Sequence, residues 1–69
     1  MAVVRAGTRV IGYDGVEVGQ VVGGDRERLK VRRRDETEMW LAGDAILAAD
    51  DHAVTLICYA RGVTRWRAD

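Results

Sequence analysis

Residues 10–21 have the sequence VIGYDGVEVGQV, in which two apolar runs flank the dipeptide Asp14-Gly15. An Asp-Gly pair between β-branched segments is the strongest short-range signal for a β-hairpin, because both residues tolerate the positive φ of a type I′ turn. We therefore predict strands at residues 8–13 and 16–22. Gly19 lies inside the second strand, where a glycine typically marks a bulge or a tight bend. This stretch predicts an all-β fold that begins with a hairpin.

Three further apolar segments follow the hairpin, separated by polar or glycine-containing turns. Residues 28–32 alternate between cations and apolar side chains, and this period of two predicts a strand with one buried face. Residues 38–41 and 54–59 predict two more strands, and residues 43–46 predict a single helical turn before the last one. Five or six short strands joined by turns are typical of a small closed β-barrel, in which closure removes the unpaired strand edges.

The alternation within the predicted strands identifies the side chains that should form the core. They are Val10, Val18, Val21, Leu29, Val31, Leu41, Ile46, Val54 and Leu56, with Trp40 partly buried. A chain of 69 residues forms one domain, in which we predict the barrel at residues 1–59 and a C-terminal tail at residues 60–69, either a short helix or an extra strand. Domains this small usually depend on a disulfide, a metal or a partner chain. Because Cys58 is the only cysteine, we expect a homodimer.

These segments resemble a known domain family. Residues 10–21 are similar to the opening hairpin of PRC-barrel domains, which place Asp-Gly in the turn and a hydrophobic-Gly-x-Val sequence after it. Residues 40–46 are similar to that family's fourth strand and following turn, and residues 54–56 fit its closing strand. The family often has proline where Ala42 stands, and the tail has no counterpart in it. The resemblance implies a small SH3-like barrel that docks onto other proteins, such as ribosomal protein or photosynthetic reaction-centre subunits, with no shared catalytic residue.

Charge is balanced over the whole chain but uneven along it. Eleven basic and eleven acidic residues give a net charge of zero, which argues against a nucleic-acid-binding domain, since such domains are usually strongly basic. The segment from Arg26 to Arg34 nevertheless carries six cations. One interpretation is a small RNA-binding barrel similar to KOW-type domains, with this basic strand gripping phosphates. The interpretation that we favour pairs the strand with the next one, so that Arg32 or Arg33 faces Glu36 or Glu38.

Few residues could support catalysis or hold a metal. His52 is the only histidine, and the six residues that separate it from Cys58 span about 20 Å in a strand with a rise of about 3.3 Å per residue. We expect Cys58 to be a buried core thiol, because it continues the apolar alternation of Val54. Asp50 and Asp51 are typical of a β-turn, in which an aspartate binds the backbone two residues ahead. We therefore predict no catalytic residue, no metal and no cofactor.

Large apolar side chains that alternate with the core residues should point outward and form an interface. Tyr13 on the first strand and Ile57 and Tyr59 on the last belong to this set, as do Ile11 and Val63. Trp66 is either an interface anchor or a cap on the open end of its own barrel. The predicted partner surface comprises Arg32, Arg33, Arg34, Ile57, Tyr59 and Trp66. The sequence has no apolar run of about 20 residues, the length that spans a membrane, and together with the lone thiol this predicts a cytoplasmic domain.

Overall fold

The structure is a computed structural model of the chain, and it describes residues 6–25, 27–50 and 52–68. Predictions that involve Arg26, Asp51 or the two chain ends lie outside these residues. The strands within them are β1 (Arg9–Ile11), β2 (Glu17–Gly24), β3 (Arg28–Arg33), β4 (Glu38–Ala42), β5 (Ile46–Ala49) and β6 (Ala53–Leu56). Two 3-10 helices complete this part of the chain, η1 (Gly43–Ala45) and η2 (Ala60–Trp66).

The strands form one sheet in the order β4-β3-β2-β1-β6-β5. All neighbours are antiparallel except β1 and β6, which run parallel with Val10 opposite Val54. The fold is all-β as predicted, but the expected closed barrel is not what the structure shows, because β4 and β5 remain the two edges. Residues of the tail occupy the edge of β4: the Ala68 N–H donates to the Trp40 carbonyl at 2.9 Å, and Leu41 forms an isolated bridge with Arg67. This edge is the one that β5 would need to close the sheet.

The edge strand β5 (Ile46–Ala49) was not predicted, because its sequence ILAA is apolar throughout and does not alternate with polar residues. Its two central side chains, Leu47 and Ala48, are both exposed, and the pairing with β6 is interrupted by a bulge between Ile46 and Ala48. The helical turn predicted just before it is present as η1. The predicted core residue Ile46 is only partly buried, because it starts this edge strand.

The hairpin at Asp14-Gly15 is present, but its turn differs from the predicted type I′. The Gly15 N–H donates to the Gly12 carbonyl and the Gly12 N–H donates to the Val16 carbonyl, both at 2.9 Å. Gly15 has a φ of 80°, whereas Asp14 is not among the described residues with positive φ. A three-residue connection whose last residue alone has positive φ is a turn followed by a glycine bulge. The Asp14 side chain supports this turn, since its Oδ1 accepts the Val16 N–H at 3.3 Å.

Gly19 lies where β2 and β3 approach most closely. The register of β1 against β2 moves from Ile11–Glu17 to Val10–Gly19, so the predicted bulge is present with one extra residue just before Gly19. A Cβ atom at Gly19 would overlap the carbonyl oxygen of Arg32 on β3. A side chain of any kind at this position would therefore force the two strands apart.

The core contains every predicted residue except Ile46, together with three side chains that strand alternation did not identify. These three are Met39 on β4, Ala45 in η1 and Val63 in η2. The prediction that Val63 points outward is wrong, because η2 packs across β2 and β4 and leaves the Val63 side chain only 1% exposed. Trp40 and Trp66 are partly buried, and Trp66 packs against the core. The tail is therefore part of the same core as the sheet.

Two leucines of opposite environment provide a matched test of this core. Leu56 is completely buried, whereas Leu47 is 55% exposed. We expect Leu56→Ala to lower the free energy of unfolding by about 2–5 kcal/mol, because it removes buried methyl groups and leaves a cavity. Leu47→Ala should change it by less than about 0.5 kcal/mol, as surface substitutions usually do. Urea denaturation followed by circular dichroism measures both, and equal effects would contradict the assigned burial.

Two glycines of β2 test the close approach of the strands. Gly19→Ala should destabilise the fold by about 1–3 kcal/mol, the usual cost of forcing extra volume into a packed site. A Cβ at Gly23 meets no atom within 4 Å, and Gly23 does not have positive φ, so Gly23→Ala should be neutral or slightly stabilising. Thermal denaturation of the two variants distinguishes these outcomes, and a neutral Gly19→Ala would show that β2 and β3 are farther apart at this point.

Candidate docking surface

The basic strand β3 is engaged by its neighbour β4. Arg32 stands opposite Glu38 in the ladder, and its Nε and Nη2 donate to Glu38 Oε2 at 3.2 and 3.0 Å. Lys30 Nζ lies 3.2 Å from Glu38 Oε1, and the hydrogen bonds from Arg32 and then Lys30 lower the pKa of this carboxyl. The Arg28 guanidinium lies 4.4 Å from the centre of the Trp40 ring, within range of a cation–π contact. The cross-strand pairing that we favoured is therefore present, and Arg32 is not free to meet a partner.

Four aspartates accept backbone N–H groups of the turns in which they lie: Asp14, Asp25, Asp35 and Asp50. Asp50 Oδ1, for example, accepts the N–H groups of His52 and Ala53 at 2.7 and 2.9 Å. Hydrogen bonds of this kind lower the pKa of Asp25 and Asp50, and the Thr37 hydroxyl does so for Asp35. These carboxylates act mainly as turn acceptors, although Arg28 near Asp25 and Arg33 near Asp35 also contribute to lowering the pKa of these two groups.

Five arginines in the described part of the chain form no ion pair: Arg28, which lies over the Trp40 ring, and Arg33, Arg34, Arg61 and Arg65. Arg33, Arg34 and Arg61 line an open groove of about 310 Å³ between the β3–β4 turn and the start of η2. Arg61 and Arg65 line a second open groove of about 390 Å³ together with Tyr59 and Trp66. Because Arg61 lines both, we treat the two as one feature, the arginine groove.

An apolar face lies next to the arginine groove and consists of Tyr13, Ile57 and Tyr59. Their side chains are 62%, 42% and 51% exposed. The two tyrosine rings lie with their centroids 6.3 Å apart and tilted by 31°, a geometry that aromatic pairs favour. The backbone positions these rings, since the Tyr13 N–H donates to the carbonyl of Cys58 at 2.8 Å. Residues 57–59 follow β6 as a bend, so the chain turns these side chains to the surface after the strand has ended.

The structure separates the residues of the predicted partner surface into three groups. Arg33 and Arg34 lie in one half of the arginine groove, and Tyr59 and Trp66 lie in the other. Ile57 belongs to the apolar face, and Arg32 is bound to Glu38. The sequence analysis missed Arg61 and Arg65. Arg61 lies beside the β3–β4 turn only because of how η2 packs.

Cys58 and His52 occupy opposite ends of β6. His52 is exposed just before the strand, and Cys58 is a partly buried free thiol that packs against the core just after it. Burial raises the pKa of the Cys58 thiol, which keeps it protonated near neutral pH. Within residues 6–25, 27–50 and 52–68, no three His, Cys, Asp or Glu side chains are grouped so that they could hold a metal ion. In the same residues, no helix has the length and apolar character of a membrane span.

Comparisons with family models, with curated proteins and with solved structures found no match to this chain. The resemblance to PRC-barrel domains therefore rests on the sequence motifs alone. The function has to be argued from the surface, from the apolar face and from the arginine groove.

The ion pairs of Glu38 predict a specific dependence of stability on pH. Because the pKa of Glu38 is lowered in the folded state, its pairs stabilise the fold above its ordinary pKa of 4.5 and this stabilisation is lost as the pH falls through the folded-state value. We expect Glu38→Gln to lower the urea midpoint slightly at pH 7, and the difference from the original protein to disappear in acid. Glu27→Gln is the control, because the Glu27 side chain forms no ion pair. A difference that stays the same from neutral pH to strongly acidic pH would contradict an electrostatic origin.

Proposed function

We propose that this chain is a non-enzymatic docking domain that self-associates through its apolar face. The observation that carries the proposal is the exposure of Tyr13 and Tyr59, whose rings lie side by side, together with that of Ile57 two residues before Tyr59. Grouped apolar side chains on a small domain usually mark an interaction site, and tyrosine is enriched among the residues that dominate binding energy. The resemblance to PRC-barrel domains supports the same conclusion, because docking is the role that it implies.

A second copy of the chain is the occupant that we propose for this face. The domain has a core of eleven buried apolar side chains and a single free thiol, so a partner chain is the remaining source of extra stability. A two-fold axis at Tyr13 would let each apolar face cover its own copy. Such an axis also keeps Arg61 and Arg65 away from their counterparts, since both lie beyond Tyr59 in the arginine groove. A stable interface covers about 800 Å² per partner, so it would extend beyond these side chains to neighbours such as Val16.

The absence of catalysis is part of this proposal, and two observations support it. His52 and Cys58 lie at opposite ends of β6, whereas nucleophilic catalysis needs a base within hydrogen-bond reach of the nucleophile. The raised pKa of Cys58 also makes its thiol a poor nucleophile at neutral pH. A cytoplasmic setting, indicated by the lone thiol, belongs to the same proposal.

Two surface substitutions test the proposed dimer. Sedimentation equilibrium of the original chain at micromolar concentration should give about twice the chain mass of 7.6 kDa. Tyr13→Ser and Ile57→Ser should shift the protein to a folded monomer, because both side chains are exposed, and lower the melting temperature only by the contribution of the lost partner. Removing the tail is not a clean test, because it would also remove the buried Val63 from the core.

Leu47→Ser is the matched control for this experiment. Leu47 is exposed to a similar degree but lies on the edge strand β5. If the dimer dissociates only on this substitution, the interface lies at the sheet edge and the proposal is wrong. A monomer at every concentration would also contradict it.

A further inference from the structure

We propose that the arginine groove binds single-stranded nucleic acid, with phosphates held by Arg33, Arg34, Arg61 and Arg65 and bases stacked on the rings that line the groove. The two halves of the groove meet at Arg61. They thus form a continuous cationic track from the β3–β4 turn to the end of η2. A track of this kind can follow a flexible phosphate backbone.

The net charge of zero does not oppose this proposal, because the charges of the folded chain are not evenly distributed. Arg9 pairs with Glu17 at 2.9 Å, and Lys30 and Arg32 share Glu38. Asp14, Asp25, Asp35 and Asp50 are bound to their own turns. Of the groove arginines, Arg33 interacts electrostatically with Asp35, whereas Arg34, Arg61 and Arg65 form no ion pair with any described carboxylate. Since charges are screened over about 10 Å at ordinary salt, a bound phosphate responds to these arginines more than to the total charge.

Two carboxylates on the wall of the groove, those of Glu17 and Asp35, are already engaged. Glu17 is paired with Arg9, which compensates its charge. Asp35 accepts the Thr37 hydroxyl at 2.6 Å and the Thr37 N–H at 3.1 Å. Among the residues that the structure describes, none that lines the half of the groove formed by η2 is a carboxylate. The strongest interaction with phosphate should therefore come from Arg61 and Arg65.

The aromatic lining favours nucleic acid over an acidic peptide. Tyr59 and Trp66 line the same half of the groove as Arg61 and Arg65, and both rings retain exposed surface. Arginines beside exposed rings can bind phosphates while the rings stack on bases, and stacking tolerates any base because each has a π face. A run of carboxylates would satisfy the arginines and leave the rings uncovered.

This site differs from the basic strand that the sequence first suggested. On β3, Arg28 contacts the Trp40 ring, and Lys30 and Arg32 form ion pairs with Glu38. These three cations therefore stabilise the pairing of β3 with β4. Only Arg33 and Arg34 at the end of that strand belong to the groove. The proposal also does not depend on the dimer, because the two tests use different residues.

The experiment is a fluorescence-anisotropy titration of the full chain against a labelled oligouridine of about 12 nucleotides, at about 50 mM salt and then at rising salt. We expect a dissociation constant of about 1–100 μM, typical of binding that is independent of sequence. Each phosphate neutralised on a single strand contributes about −0.7 to the slope of log affinity against log salt, so four arginines give about −2.8. The double variant Arg61→Ala, Arg65→Ala should reduce this slope by about 1.4 and weaken binding about 10- to 100-fold.

The double variant Arg28→Ala, Lys30→Ala is the matched control, because it removes the same charge from β3 outside the groove. Its affinity should stay within about twofold of the original, and the melting temperature of both variants confirms that they fold. An equal loss in the control would assign binding to the basic strand and overturn the proposal. Absence of binding to the oligouridine would overturn the proposal. So would competition in which an oligoglutamate peptide of equal length displaces the labelled oligouridine at a lower concentration than unlabelled oligouridine does.

Discussion

The packing of η2 against the sheet is the constraint on which the rest of this structure depends. Val63 brings the tail into the core, and the Ala68 N–H then bonds to the carbonyl of Trp40 on β4. This contact completes a core that six short strands would otherwise leave open at one side, and it occupies the strand edge needed for barrel closure. The same packing brings Arg61 beside Arg33 and Arg34. The packing of η2 therefore determines the completeness of the core, the open edge of the sheet and the position of the arginine groove.

The charged residues illustrate how a neutral composition can produce a cationic groove. Acidic side chains have two uses in this chain: aspartates cap turns, and glutamates pair across strands, as Glu38 does with Lys30 and Arg32. Both uses are local, because a turn aspartate binds the backbone two or three residues ahead of it. Among the described residues, Arg61 and Arg65 of the tail form no ion pair with a carboxylate of either kind. Charge separation thus arises from turn chemistry and needs no excess of basic residues.

Tyr59 belongs both to the apolar face and to the arginine groove. Its ring lies beside Tyr13 on one side, and it lines the groove with Trp66 on the other. Aromatic and arginine side chains dominate both protein–protein and protein–nucleic-acid contacts, because they combine large apolar area with directional polar groups. A dimer that covers Tyr59 would remove its ring from the groove and leave Arg61, Arg65 and Trp66 to line it. Self-association and nucleic-acid binding therefore compete for the Tyr59 ring.

The sequence by itself determined the features that depend on short-range chemistry. Strand alternation identified the buried residues of β1, β2, β3 and β6 and one of the two on β4, and Asp14-Gly15 located the hairpin, because side-chain direction and turn geometry are set within a few residues. The turn type, β5, the open sheet and the burial of Val63 required the tertiary structure. Four of the six residues of the predicted partner surface line the arginine groove, but Arg61 joined it only because η2 packs beside the β3–β4 turn. Contacts between residues almost thirty positions apart depend on which side chains pack together in the core. A pattern within a few neighbouring residues does not determine that packing.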